Sequence, residues 1–429
     1  MKRRRWVFVL LSISMLLISC KKKDDQQTAE TITVEASSAN EGEKFVTRWG
    51  SDDFFTEDFA LYHTDHGRLQ IFDVASKSDR VFCFDPGCEH DKYRKVEVSP
   101  DGIETVVEEG CMARNISSYT VMVQGDQLFF VNSRGDVVQS DLQGKNRKVI
   151  NAIPPYTPVQ RIIYYKDAVF GNYFTSYEIL EIEGENGEPD WIYGEMKEKD
   201  TVGIARANLN DGMASEIFKR EDYSAGLYYL TVRGTHLYFA YTYSEMQYMA
   251  PDGQMWRPMQ EEWKDLSVEE YLEEREKRCW MEIYDYDIDS GEVRCVMNGL
   301  RQGRVVFCNG FFAVQPGLPG DGNKTTLYRY TGEAFRELEG FTLSQVYCNR
   351  HLVGLCDGEY QMIDEDTGEV LKRVRNPDNP CFYPEVFIGK SCYGRVAGED
   401  WISTSAYISS EDFWNGKFEN VILMNDKEK

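Results

Sequence analysis

Short stretches of alternating apolar and polar residues run through most of the chain, and each begins at a turn-forming pair. Residues 125–130 read GDQLFF, and residues 234–239 read GTHLYF. Alternation with a period of two is typical of half-buried β-strands, because successive side chains point to opposite faces. Gly beside Asp or Thr supplies the left-handed residue that a tight hairpin needs. We therefore predict a chain built mainly of short antiparallel strands.

The pattern recurs, which indicates a repeat architecture. Further copies begin at residues 58, 166, 309, 349 and 390. A second motif, an alternating strand that runs into a polar turn, follows at residues 138–144, 283–291 and 362–368, among others. A unit of about 40 residues holding four short strands is a propeller blade. The seven copies predict an all-β fold, a β-propeller of seven four-stranded antiparallel blades over residues 46–425. Six or eight blades are the alternatives.

Three insertions interrupt the repeat, at about residues 84–118, 178–200 and 243–280. The third ends in a predicted helix. Ser267 and Glu270 have the spacing of a capping box, and glutamates at 273 and 274 stand four residues before the basic residues at 277 and 278. Both arrangements stabilise helices.

The first part of the third insertion is rich in methionine and aromatic residues. Its aromatic side chains are candidates for a ligand face on the propeller: Tyr243, Tyr248, Trp256 and Trp263. Aromatic rings offer flat apolar surfaces to a sugar, a peptide or a partner protein. The alternative is that these rings only attach the insertion to its own blade.

Charge and hydropathy narrow the classes of function. The chain has 48 basic and 72 acidic side chains, a formal net charge of −24. A nucleic-acid partner is not expected, because phosphate binding needs a basic face. A mean hydropathy of −0.50 excludes a polytopic membrane protein.

The N-terminus carries the pattern of an export signal. Residues 1–5 read MKRRR, residues 6–18 are mostly apolar, and residues 17–20 read LISC. A basic start, a short apolar run and a small residue before a cysteine look like a bacterial lipobox. We expect residues 1–19 to be a lipoprotein signal peptide and Cys20 to be acylated. Residues 20–45 then form a flexible tether, and the domain lies outside the cytoplasm, anchored to the membrane.

Four metal-ligand side chains cluster after the first predicted blade strands: Cys83, Cys88, His90 and Cys111. Three thiolates and one imidazole make a full tetrahedral set for zinc, and a site closed by four protein ligands is structural. The 20-residue spacer between His90 and Cys111 is not a standard zinc-finger spacing. A disulfide between two of the cysteines with a spare thiol, or three reduced cysteines, are the alternatives.

These features together resemble a group of bacterial, Clostridia-like, lipid-anchored β-propeller lipoproteins of unknown function. Their blades have a similar G-D-x-L-Y-Y and Y-D-L-D-G rhythm, and a C-x4-C-x-H…C segment lies in the first blade. The resemblance covers most of residues 55–423. It implies the fold and the anchor, and it implies nothing specific about activity.

Two functions stay open. The first is a non-catalytic binding module, acting as a monomer, for an envelope protein or a glycan. The alternative is a propeller-type glycoside hydrolase or lyase; hydrolysis needs two carboxylates about 5–10 Å apart across a groove. The sequence holds no familiar catalytic motif and favours the binding module.

Replacing Cys20 with Ala should release the protein from the membrane fraction and leave the domain folded, because the lipid and not the acidic domain holds the membrane. Fractionation after a high-salt wash, with circular dichroism of the released protein, measures both effects. Membrane retention of the C20A chain would contradict the lipoprotein interpretation.

Overall fold

The computed structural model describes residues 45–47, 53–63, 68–83, 88, 90, 95–98, 104–108, 111, 119–124, 126–131, 136–142, 146–152, 159–183, 189–210, 213–248, 260–308, 310–317, 324–344, 347–348, 351–364, 366–375, 381–397 and 403–424. The predicted signal peptide, Cys20 and nearly all of the tether lie outside these residues, as does Trp256.

Most of the described chain is β-strand, arranged as successive sheets in chain order. Sheet 1 contains β1 (Phe45–Thr47), β2 (Phe54–Thr56), β3 (Phe59–His63), β4 (Leu69–Asp73) and β5 (Ser78–Val81). A separate hairpin follows, of β6 (Lys95–Val98) and β7 (Glu104–Glu108). Sheet 2 contains β8 (Tyr119–Gln124), β9 (Gln127–Val131), β10 (Asp136–Asp141) and β11 (Lys148–Ala152).

Sheet 3 has seven strands: β12 (Val159–Tyr165), β13 (Ala168–Glu183), β14 (Pro189–Asn208), β15 (Ala214–Arg233), β16 (His236–Ser244), β17 (Cys279–Asp287) and β18 (Val293–Arg301). Sheet 4 contains β19 (Gly303–Phe307), β20 (Phe311–Pro316), β21 (Lys324–Arg329) and β22 (Ala334–Glu339).

Sheet 5 contains β23 (Phe341–Leu343), β25 (Leu352–Cys356), β26 (Glu359–Ile363) and β27 (Val370–Arg375). Sheet 6 contains β24 (Tyr347–Cys348), β28 (Phe382–Ile388), β29 (Ser391–Ala397), β30 (Ser403–Ser409) and β31 (Ile422–Leu423). The pairing of β24 with β28 is parallel, and the other described pairings are antiparallel.

The described helices are short. They are the insertion helix (Val268–Glu276), the C-terminal helix (Ser410–Trp414) and two 3-10 turns (Glu261–Trp263 and Phe418–Asn420). None of the helices in the described part of the chain is both long and apolar enough to cross a membrane.

The capping box predicted for the insertion helix is confirmed. Ser267 Oγ accepts from the backbone N–H of Glu270, whose carboxylate accepts from the N–H of Ser267. Glu274 pairs with Arg278 at 2.8 Å, as predicted. Lys277, however, pairs with Glu274 at 3.4 Å and not with the predicted Glu273.

The predicted strands and turns are confirmed. The seven copies of the first sequence motif lead into β3, β9, β13, β16, β20, β25 and β29. In the turns that follow β17 and β26, one aspartate oxygen, on Asp287 or Asp364, accepts two backbone N–H groups at 2.8–3.0 Å. Gly291 and Gly368 then have φ of +77° and +67°, which glycine adopts without steric cost. The repeat in the sequence is therefore a repeat of hairpins.

The long strand β15 makes sheet 3 a double unit. Its first half, from Ala214 to Asp222, pairs with β14, and its second half, from Tyr223 to Arg233, pairs with β16. The backbone of Ser224 has φ of +49°, next to the point where the pairing changes. Two four-stranded groups thus share one strand.

Apolar clusters join each sheet to the next. Several clusters draw buried side chains from neighbouring sheets, for example Leu69 with Leu128, Ile283 with Phe312, Phe311 with Phe341, and Val353 with Phe387. In addition, β2 lies against β8, β8 against β12, β12 against β15, β15 against β19 and β19 against β23. The sheets are therefore stacked face to face in chain order.

The last sheet also packs on the first. The rings of Phe55 and Tyr393 are 5.1 Å apart, and the Tyr393 hydroxyl donates to the carbonyl of Thr56 at 2.9 Å. The Ser391 hydroxyl donates to the carbonyl of Glu57 at 2.7 Å. Gly389 has φ of +53°, a conformation that favours glycine, and a Cβ there would also lie 2.3 Å from the Glu57 carboxylate. Sheets that follow one another and meet again at their ends form a β-propeller-like fold.

Replacing Tyr393 with Phe should lower the free energy of unfolding by about 1–2 kcal/mol, because the half-buried Thr56 carbonyl loses its donor. Urea denaturation measures the change. Tyr248→Phe is the matched control, since Tyr248 is 50% exposed. Equal effects of the two substitutions would show that the contact between sheets 1 and 6 contributes little.

Candidate metal centre

Cys83 lies directly after the last strand of sheet 1. The backbone N–H of Phe82 donates to the carbonyl of Leu69 at 3.0 Å, so the chain stays beside β4 for one residue beyond β5. The N–H of Cys83 then donates to the carbonyl of Val81 at 2.8 Å, which closes a three-residue turn. Phe82 is buried and fixes this turn to the core. These contacts fix the backbone position of Cys83.

The hairpin β6–β7 accounts for the long spacer between His90 and Cys111. Its strands pair antiparallel, from Val98 with Glu104 at the closed end to Lys95 with Glu108 at the open end. The chain thus leaves near His90 and returns near Cys111. A spacer of this kind needs no fixed length, because the two ends of a hairpin always lie side by side.

The four predicted ligands converge. The ligand atoms of Cys83, Cys88, His90 and Cys111 all lie within 4.8 Å of one another. Nδ1 of His90 is 3.4 Å from Sγ of Cys111. In a tetrahedral zinc site with Zn–N of about 2.0 Å and Zn–S of about 2.3 Å, that separation would be about 3.5 Å. The residues therefore fit a zinc ion with only small side-chain adjustments.

The surroundings suit a metal that holds structure together. Cys111 is buried, and the other three ligands are half-buried. Cys83 and Cys88 pack against the apolar cluster that joins sheets 1, 2 and 3. His90 has φ of +61°, a conformation that is uncommon outside glycine and that recurs in ligand clamps. The cluster thus brings together Cys83, the pair Cys88 and His90, and Cys111 from three places in the chain.

The cysteines are thiols in the structure. The ten described cysteines, Cys83, Cys88 and Cys111 included, form no disulfide with one another. The others have no comparable set of ligands among the described residues. Burial raises the pKa of the Cys392 thiol well above its usual range, which keeps it protonated and unreactive.

The structure places three of the four ligand-face candidates. Tyr243 is half-buried, stacked on Tyr241 with ring centroids 5.4 Å apart, and burial raises the pKa of its hydroxyl. Tyr248 is exposed and lies under the guanidinium of Arg275 at 5.2 Å.

Trp263 packs with Met246 and Tyr271, and Arg278 lies 4.8 Å from its ring. These contacts are internal to the insertion and agree with the simpler alternative for Trp263. A ligand face at Tyr243 and Tyr248 stays a prediction.

Sequence reasoning missed a polar cluster between the two halves of sheet 3. The Tyr241 hydroxyl donates to Asp222 at 2.6 Å, and the Tyr284 hydroxyl donates to Glu282 at 2.6 Å. Burial, and then the hydrogen bond to Glu282, raise the pKa of Tyr284 to about 12, so it is a donor at neutral pH. No sequence signal could select these two carboxylates among 72 acidic residues.

No protein-family model matches the chain, and no curated protein does. Solved structures resemble it at low identity. An oligogalacturonate lyase in complex with manganese is 10% identical, with a TM-score of 0.42 over 86% of this chain and 92% of that one. An oligogalacturonate lyase from Vibrio parahaemolyticus is 10% identical, with a TM-score of 0.38 over 80% and 87%. A puromycin-hydrolyzing peptidase of Mycobacterium tuberculosis is 11% identical, with a TM-score of 0.47 over 89% of this chain and 53% of that one.

Protein purified without added metal should contain about one zinc per chain, and the zinc should leave as the pH falls, because protons compete for thiolate and imidazole. Elemental analysis across a pH series measures this. His90→Asn should lose the metal, since asparagine accepts the left-handed backbone but offers no imidazole. Cys295→Ser, at an exposed thiol elsewhere, is the control and should keep it. Metal-free protein with two thiols missing from a count under denaturant would instead indicate a disulfide.

Proposed function

We propose that this chain is a lipid-anchored, seven-bladed propeller that binds an envelope protein or a glycan outside the cytoplasm, and that zinc fixes its first blade. The observation that carries the zinc proposal is the convergence of Cys83, Cys88, His90 and Cys111 within 4.8 Å. Four protein ligands would fill the coordination sphere of zinc and leave no position for substrate. The metal would therefore hold structure and not perform chemistry.

The sheet order supports seven blades. Sheets 2, 4 and 5 each supply one antiparallel group of four strands, sheet 1 supplies one of five, and sheet 6 supplies four beside the parallel β24. Sheet 3 supplies two groups of four that share β15. The packing of Phe55 on Tyr393 supports closure of the ring. Each group would then be covered on both faces by its neighbours, which is the arrangement of a propeller.

The zinc centre would connect blades one and two. Cys83 follows the last strand of sheet 1, and Cys111 precedes the first strand of sheet 2. Zinc would therefore fix the connection between two blades at a place where the chain has an insertion. A fixed connection would preorganise the face of the propeller near this insertion, and a preorganised surface loses less entropy when it binds a partner.

The anchor is the part of the proposal that rests on the sequence alone. Residues 17–20 and the basic start support acylation of Cys20. A chain tethered there would present its propeller to partners in the envelope. The net charge of −24 favours binding through local surfaces over general attraction to anionic lipid.

The binding function is tested by cross-linking the lipidated chain in intact membranes and by probing the purified chain on a glycan array. We expect one specific partner, protein or glycan, retained by wild type and lost when metal is removed with a chelator, because the chelator loosens the first blade. Silence in both measurements would refute the binding module. Turnover of a bound glycan by the purified chain would point to the hydrolase or lyase instead.

A further inference from the structure

The turns that carry the first sequence motif lie on one face of the propeller-like fold, which we call the turn face. Each joins the first strand of a group to its second, as residues 125–126 do between β8 and β9. Hydrogen bonds between neighbouring sheets join like ends. The Arg233 guanidinium donates to the carbonyl of Phe307 at 2.9 Å, and the Ser391 hydroxyl donates to the carbonyl of Glu57 at 2.7 Å. Equivalent turns of these neighbouring sheets therefore lie side by side.

The three insertions are all attached at the opposite face, which we call the insertion face. Antiparallel strands alternate in direction, so the link from a second to a third strand lies at the end away from the first turn, as does the link to the next sheet. The insertion at about 178–200 extends β13 and β14, and the one at about 243–280 joins β16 to β17; both are second-to-third links. The insertion at about 84–118 links sheet 1 to sheet 2, and the predicted metal ligands lie in it or beside it.

The chain enters the fold from the turn face. β1 pairs with the edge of β2 that is away from β3, and the pairing is antiparallel, so Phe45 lies beside Thr56 and Thr47 beside Phe54. Thr56 leads into the first turn, at residues 57–58, whereas Phe54 is at the other end of β2. The chain before Phe45, which includes the predicted tether, therefore joins the fold at the end of β2 that bears the turn.

β2 lies at the centre of the succession of sheets. It contacts β8 of the next sheet and β28 of the last sheet, each the first antiparallel strand of its own group. The first strands of the other groups touch in the same order: β8 with β12, β12 with β15, β15 with β19, and β19 with β23. A tether that joins the fold beside β2 therefore leaves near the axis of the propeller and not at its rim.

The reach of the tether and the charge of the insertions favour one orientation at a membrane. A flexible chain of residues 20–44 spans about 25–30 Å on average, and a domain of about 380 residues has a radius of gyration of about 21 Å. To turn the insertion face to the membrane, the tether would have to stretch round the domain. The insertions also hold 27 acidic and 11 basic residues, which is 16 of the chain's 24 units of net negative charge. Anionic lipid therefore repels the insertion face most strongly.

We propose that the turn face lies toward the membrane and that the insertion face points away from it and meets the partner. This orientation rests on the proposed function, because it needs the lipid on Cys20, and it adds which face of the propeller the partner contacts. The kind of partner follows as well: it lies beyond the propeller as seen from the membrane, and it is not the bilayer itself.

Energy transfer to the membrane surface tests the orientation. The lipidated full-length chain is bound to vesicles of phosphatidylcholine and phosphatidylglycerol that carry a rhodamine acceptor on a lipid headgroup. One donor dye is attached through azidophenylalanine, which avoids the native thiols. It replaces either Met196 in the insertion at about 178–200 or Met213 in the turn between β14 and β15, which lies on the turn face. Both side chains are exposed, at 40% and 73%.

The two labelled positions are a matched pair in sheet 3. Met196 pairs with Tyr177, and Tyr177 lies nine residues along β13 from Ala168, which is next to the turn face. At about 3.3 Å for each residue of a strand, the two donors are roughly 30 Å apart. We expect a transfer efficiency at least about twofold higher from the Met213 position than from the Met196 position, because the second donor is further from the lipid by about that distance.

Breaking β1 tests the cause of the orientation. The combined variant Phe45→Gly, Val46→Pro and Thr47→Gly removes a backbone donor and disfavours the strand, so β1 should leave β2. The tether would then join the fold at the other end of β2, and the difference between the two labels should disappear or reverse. The same Gly-Pro-Gly replacement at residues 36–38, inside the tether, is the matched control and should preserve the difference. Thermal unfolding of both variants checks that the sheets stay folded.

Three results would overturn the orientation: equal transfer from the two labels, more transfer from the Met196 position, or an unchanged difference in a folded chain without β1. Vesicle binding is measured on the same samples, with the Cys20→Ala chain as the reference that should not bind. If the wild-type chain binds and the labels transfer equally, the orientation alone is wrong. If the wild-type chain binds no better than the Cys20→Ala chain, the anchor of the proposed function is wrong and the orientation fails with it.

Discussion

A β-sheet that is apolar on both faces must be covered on both sides, and in this chain the last sheet is covered on its free side by the first. The contact joins Phe55 and Phe72 of sheet 1 to Tyr393 and Tyr407 of sheet 6. Without it, each end of the stack would expose a face of aromatic side chains to water, at a cost of roughly 25 cal/mol for each Å². The apolar clusters between the intermediate sheets cover their faces in the same way. Every sheet is therefore covered on both faces only because sheet 6 also packs against sheet 1.

A metal bound by Cys83, Cys88, His90 and Cys111 would add a constraint of another kind. Apolar clusters such as that of Leu69 and Leu128 hold the sheets together by burying apolar surface. This interaction has no fixed direction, so it tolerates small shifts of the sheets. A tetrahedral ion holds its ligands by distance and angle, and it tolerates almost none. Cys111 lies inside the same apolar cluster, so the two kinds of constraint would meet at one place. The hairpin β6–β7 lies between His90 and Cys111 in the chain and supplies none of the four ligands.

Much of this architecture could be predicted from the sequence, because its causes are local. The turns at Asp287 and Asp364 follow from an aspartate, a short polar step and a glycine, and the insertion helix follows from its capping box. The cluster of Cys83, Cys88, His90 and Cys111 could be predicted because histidine and cysteine are few in the chain. The continuous strand β15 could not be foreseen, since which neighbour a strand pairs with is decided by distant segments. Lys277 shows the same limit on a small scale: it pairs with Glu274, which also pairs with Arg278, and not with the predicted Glu273.

The shared strand β15 has a consequence for how the molecule comes apart. Repeat proteins usually lose their units one at a time, since each unit is held mainly by its neighbours. Here the hydrogen bonds of β14 and of β16 both end on one backbone, from Ala214 to Arg233. Opening either half of sheet 3 frees one end of the strand whose other end belongs to the second half. The two halves should therefore behave as a single cooperative folding unit, twice the size of any other in the chain, and amide protons on both sides of Ser224 should exchange with solvent at a common rate.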